Sequence, residues 1–259
     1  MNVEIVENGV PYWVALNTKD PAAAAKFYCA LLGWEAAAAA AKAVMRDVYV
    51  LRGLPVAGIG RSTESERPAW RTYVNVADVE EVARKVIAAG GTLVVAPTTV
   101  ADAGRFVVFA DPFGARIAAW QAGELKGAGL IQEPGAYAWS ELIIDDVDGA
   151  AAFYGAVFGW MLTKPVPGDP LQRREWQVSG RSVAGLLPRP PAMPKEIPPY
   201  WDVYFAVSDA TAAVANVKRL GGTNLMPPTD IPHGRIAVFT DPGGAVFSVI
   251  VPNDVRAGH

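Results

Sequence analysis

Cysteine and histidine are almost missing from this chain. Cys29 is the only cysteine, which excludes an internal disulfide and any thiolate metal site built within one chain, and suits a reducing cytoplasm. The histidines are His233 and the final residue, His259, so a two-histidine metal site is not expected. Positive charge is also scarce. Lys and Arg total 23 against 26 Asp and Glu, a net charge of −3. No basic field gathers phosphates, which argues against nucleic acid as a partner. No apolar run reaches the roughly 18 residues that span a bilayer. The opening MNVEIVENGV has neither the basic flank nor the apolar stretch of a signal peptide. A cytoplasmic protein with no membrane partner is the expectation.

Hydrophobic residues make up 51% of the 259 positions, enough to bury one large core or two ordinary ones. Self-comparison decides for two. KFYCALLGWE (26–35) returns as AFYGAVFGWM (152–161), and Trp13, Asp20, Phe27-Tyr28 and Gly33-Trp34 match Trp139, Asp146, Phe153-Tyr154 and Gly159-Trp160 at an offset of 126. Further on, YVNVAD (73–78) matches YFAVSD (204–209) at 131, and Gly104-Arg105 and Asp111-Pro112 match Gly234-Arg235 and Asp241-Pro242 at 130. The halves are domains at 1–122 and 136–259, joined by a glycine-bearing linker at 123–135.

Each half repeats again. YWVALNT has strand character, and Asp20-Pro21 offers an N-cap with proline at the first helical position. Gly33 supplies the left-handed residue that closes such a helix, so the twin decapeptides mark helix closure and packing rather than catalysis. After WRTYVNV the order restarts. Asp78 with Glu81 forms a capping pattern, and Val79, Val82, Val86 and Ile87 make one apolar face. The order is βαβββ twice per half. Two stretches stand apart: six alanines at 36–41 face a polar loop in the other half, and LLPRPPAMPKEIPPY (186–200) reads as a stiff spacer.

The FY–GW pair, the Asp-started helices and the late DP-x-G turns, occurring twice in the same order, resemble the vicinal-oxygen-chelate superfamily, which holds glyoxalases, bleomycin-resistance proteins and extradiol dioxygenases. The likeness is nearest to actinobacterial tandem-domain glyoxalase-like proteins labelled hydroxylases. It implies an α+β fold in which four βαβββ modules form two tandem glyoxalase-like domains, their curved mixed sheets enclosing concave cups. Metal-using relatives place ligands on three strands. Counted onto this chain, those places hold Trp13, Arg71 and Ala118 in the first half and Trp139, Asp202 and Ser248 in the second. Only Asp202 suits a hard cation. Neither a metal nor another cofactor is expected.

Alternate strand positions then face the cups. These are Trp139, Glu141, Asp202, Tyr204 and Ser248 in the second half, and Trp13, Arg71, Tyr73, Arg116, Ala118 and Trp120 in the first. Two readings stand side by side: the aromatics line a small-molecule pocket, or they fill the sheet's interior. Glu141 and Asp202 are either a carboxylate pair with one raised pKa, fit for a general base, or ordinary ion-paired acids, with Arg235 a partner for them. Arg71, Arg105 and Arg116 either hold an anion or end their strands in solvent. His233 is an acid–base group or a solvated loop residue, and Cys29 is read as an inert thiol. The functional expectation is a metal-free cup binding a small hydrophobic or aromatic metabolite, in the manner of resistance proteins. The rival is a lyase, isomerase or hydroxylase-like enzyme with Glu141 or Asp202 as base, or a glyoxalase with an unrecognised metal. The chain is expected to act as a monomer or homodimer.

Overall fold

The computed structural model describes residues 7–37, 47–61 and 67–253. The first half runs β1 (Pro11–Thr18), α1 (Pro21–Leu32), β2 (Glu35–Ala36), β3 (Val48–Leu51), β4 (Leu54–Arg61), then β5 (Ala69–Asn75), α2 (Val79–Ala88), β6 (Thr92–Val100), β7 (Gly104–Ala110) and β8 (Arg116–Ala122). The second half runs β9 (Tyr137–Ile144), α3 (Val147–Phe158), β10 (Met161–Leu162), β11 (Arg174–Val178), β12 (Arg181–Pro188), then β13 (Tyr200–Ala206), α4 (Ala210–Arg219), β14 (Thr223–Ile231), β15 (Gly234–Thr240) and β16 (Val246–Pro252). The βαβββ unit thus occurs four times. Of the alanine run, Ala36 closes β2 and Ala37 is buried; residues 38–41 and His259 lie outside the described residues.

Local chemistry sets the helix limits. Asp20, Asp78, Asp146 and Asp209 each cap a helix by accepting backbone N–H bonds from its first turn. Gly33 and Gly159 close α1 and α3 at φ 76° and 73°, a conformation costly for residues with a Cβ. In α2 the buried face is Val79, Val82, Ala83 and Val86, whereas Ile87 is exposed. The hydrophobic stripe is one residue narrower than its sequence suggested.

Each half folds into one eight-stranded sheet, ordered β2-β3-β4-β1-β5-β8-β7-β6 and β10-β11-β12-β9-β13-β16-β15-β14. The first strands of the two modules pair antiparallel at the centre, β1 with β5 and β9 with β13, while β4 and β8 flank them in parallel. On one face of each sheet lie the helices, and these faces meet between the halves: Val203, Phe205, Phe247 and Val249 share a buried cluster with Phe27 and Tyr28 of α1. Reciprocally, Val74, Ile117 and Ala119 cluster with Phe153 and Tyr154 of α3.

The twin motifs lock the two halves together. Tyr28 donates its hydroxyl to Asp241 Oδ2 across the interface at 3.1 Å and accepts from Trp70 Nε1 at 2.8 Å. The mirror set is Tyr154 to Asp111 Oδ2 at 2.9 Å and Trp201 Nε1 to Tyr154 at 2.9 Å. Trp34 donates to the Gly135 carbonyl and Trp160 to that of Gly9. Each FY–GW motif is thereby satisfied by the other half, with no buried polar group left unmet in the pair. No helix among the described residues is long and apolar enough to cross a membrane.

Candidate functional site

The opposite face of each sheet curls into a cup. Trp201 and Val203 of β13 point to the helical side, so period-two alternation turns Asp202 and Tyr204 to the cup. On β9 Glu141 stands opposite Asp202, and Trp139 opposite Tyr204. Gly185 of β12 is the neighbour of Glu141 on its other side. A Cβ there would come within 2.8 Å of Trp139 Nε1 and 3.0 Å of Glu141 Oε1, so this glycine makes room for both side chains.

A cavity of about 270 Å³ opens in the second cup, close to the lower end of ligand pockets at about 300–1,000 Å³. Trp139, Ala138, Ile231, Ile250 and Pro252 form its apolar wall, and Glu141, Tyr204, Arg173 and His233 add polar groups. Glu141 is buried and accepts a hydrogen bond from the Tyr204 hydroxyl at 2.9 Å; Arg173 Nε lies 3.4 Å from its Oε1. Burial raises the Glu141 pKa, opposed by the charge of Arg173 and the Tyr204 hydrogen bond. Arg173, buried too, is held by Asp169 at 3.0 Å. Arg235, the partner considered from sequence, pairs instead with exposed Asp230.

Asp202 and Ser248 do not line the cavity. They are bonded to each other, Ser248 Oγ to Asp202 Oδ2 at 2.5 Å, and Asp202 Oδ1 is buried without a partner. Burial pushes the Asp202 pKa up to about 7, with the Glu141 charge adding to the rise. His233, expected to be a solvated loop residue or an acid–base group, lies at the cavity with Nε2 2.9 Å from Glu175 Oε1. Ser182 donates to the other oxygen of Glu175. The signal missed in the sequence is alternation on β11, where buried Trp176 faces the helices and Glu175 therefore faces the cup.

The first cup is built differently. Trp13, Arg71 and Trp120 are buried and Tyr73 is half-buried. Phe106 and Trp120, which pack edge-on to Tyr73, stand where the second half has Ile236 and Ile250. The segment after β8 folds over them: Trp120 Nε1 donates to the Leu125 carbonyl, Leu125 N to that of Ala103, and Ala128 N to that of Tyr12. Leu125, Ala128 and Leu130 share the buried cluster of Trp13 and Trp120. Arg105 is paired with Glu80, and Arg116 is exposed at its strand end. Burial lifts the Cys29 thiol pKa, opposite to the lowering that activates a nucleophilic thiol.

The three strand positions that hold a divalent ion in metal-using relatives do not fit one here. Indole, guanidinium and methyl groups offer it nothing, and Asp202 is engaged by Ser248. The Arg173 cation lies against the neighbouring carboxylate, Glu141. Among the described residues no group of three His, Cys, Asp or Glu is arranged to hold a metal.

Residues 13–119 match the family model described as "Glyoxalase-like domain", and residues 136–249 that of the "Glyoxalase/Bleomycin resistance protein/Dioxygenase superfamily". The chain belongs to this superfamily, the vicinal-oxygen-chelate group. It is 38% identical over 251 residues to "Putative glyoxylase CFP32" of Mycobacterium tuberculosis, covering 94% of this chain and 95% of that one. It is 34% identical over 275 residues to "Anthracycline biosynthesis protein DnrV" of Streptomyces peucetius, covering 97% and 95%. In fold it is similar to the Mn(II)-bound glyoxalase from Novosphingobium aromaticivorans, with a TM-score of 0.64, 18% identity and coverage of 97% and 86%. The 2,3-dioxygenase LapB from Pseudomonas sp. KL28 gives 0.62, 15%, and coverage of 95% and 93%.

Proposed function

We propose that this protein binds a small, oxygenated aromatic or otherwise apolar metabolite in its second cup without a metal. The observation that carries this reading is the cavity of about 270 Å³, apolar on its walls and ending on Glu141 and Tyr204. Apolar walls supply affinity, and a few fixed polar groups orient the ligand. The relative named for anthracycline biosynthesis supports an aromatic ligand class. Titration of chelator-treated protein with a panel of oxygenated aromatics, followed by calorimetry and tryptophan fluorescence, tests it. Saturable binding that weakens in Glu141→Gln and vanishes in Ile250→Trp is expected. No binding across the panel overturns the reading.

A second reading is favoured by one further arrangement, the His233–Glu175 pair on the same cavity as Glu141. A carboxylate base and a carboxylate-oriented imidazole on one ligand are the parts of an acid–base enzyme of the lyase, isomerase or hydroxylase-like kind. Glu141 would take a proton from carbon beside a carbonyl, and His233 would deliver one to the oxygen. Solvent deuterium exchange into a bound ketone, followed by NMR, should then be lost in both Glu141→Gln and His233→Asn while binding persists. Exchange that survives both substitutions removes this reading and leaves binding alone.

A further inference from the structure

The first cup contains a buried guanidinium with no described residue to neutralise it. Arg71 is 7% exposed, yet makes no hydrogen bond or ion pair to any described residue. On β5, Trp70 bonds to Tyr28 and Thr72 to Ser140 on the helical side, so Arg71 points into the cup. Ala15 stands across from it on β1, where the second half has Glu141, and Ala118, in register with Tyr73 two residues along β5, occupies the place of Ser248. Among the described residues the cup therefore lacks both the hydroxyl donor that meets Asp202 and the carboxylates that meet Arg173 in its twin. None of the Arg71 nitrogens is among the sealed, unpartnered atoms, so the guanidinium still reaches accessible space. Burying a charge is costly unless it is paired.

The geometry points to a small-anion site in the first cup, with Arg71 holding a carboxylate-sized oxyanion through its forked N–H groups. Cover by Leu125 and Ala128, with Trp13 and Trp120 alongside, limits the occupant to a few heavy atoms and strengthens a charge-assisted pair by excluding water. This inference is independent of what the second cup binds.

Formate is the probe. Saturation-transfer NMR with formate should show saturable binding to the wild-type protein, weakened about tenfold or more in Arg71→Met, as expected for loss of a bidentate charge-assisted contact. Ala15→Glu supplies an internal carboxylate opposite Arg71, at the roughly 5 Å spacing of cross-strand Cβ atoms. It should abolish formate binding and raise Tm, and so decides the matter even if Arg71→Met fails to fold by circular dichroism. Absence of formate binding to wild type, equal binding to Arg71→Met, or undiminished binding with no gain of Tm in Ala15→Glu overturns the site.

Discussion

The two cups share a topology and differ in what fills them. In the second, Ile250 and Ile236 leave a cavity above a braced carboxylate; in the first, Trp120 and Phe106 take those places and the interdomain segment covers them. Electrostatics differ as well. Glu141 is met by Tyr204 and Arg173, whereas Arg71 faces Ala15. One half holds an open hollow and the other a hollow largely filled by side chains, because a change in side-chain volume on a strand costs the sheet nothing in backbone hydrogen bonding.

The sharpest way to break this contrast is to empty the first cup. Trp120→Ala should cost about 3–5 kcal/mol, the range for a large aromatic removed from a core. Urea unfolding measures it; a cost below about 1 kcal/mol would mean that the indole does not fill the cup. Next in size is Glu141→Ala, which leaves buried Arg173 short of a counter-charge and should destabilise by about 3 kcal/mol. Glu141→Gln, which removes the charge but keeps the side chain's volume, should cost nearly as much, whereas a simple cavity effect would spare it.

Asp202 should give the second cup a pH signature. Its folded pKa of about 7 lies above the value of about 3.9 in an unfolded chain. The native state therefore binds this proton more tightly. Its stabilising contribution is complete below pH 4 and disappears as pH rises toward 7, a change on the order of 4 kcal/mol. Asp202→Asn should flatten that part of the stability profile, and an unchanged profile would assign the dependence to other groups. Smallest is His233→Asn, expected to weaken a cup ligand by about fivefold, the worth of one polar contact, with little change in Tm.

Much of the fold was legible in the sequence. Asp caps, Gly33 and Gly159, and alternating strands are local signals, and each formed the element its chemistry favours. The cup-facing positions were also readable, because period two carries from Trp139 to Glu141 and from Asp202 to Tyr204. Other features were not. Ile87 lies off the buried face, since helix packing rather than hydrophobicity decides the width of a stripe. The partner of Glu141 proved to be Arg173, on a loop with no marked motif, and not Arg235. His233 lies on the cavity beside Glu175, a pairing no local pattern showed.

The sequence by itself determined the fourfold βαβββ plan, the helix ends and which strand residues share a face, because capping, left-handed glycines and alternation act over a few residues. Only the tertiary structure decided that Tyr28 and Tyr154 would bond the opposite half, that the segment after β8 would cover the first cup, and that the second would stay open. Those outcomes depend on volumes and charges brought together from positions 43 to 213 residues apart, where no local pattern carries the information.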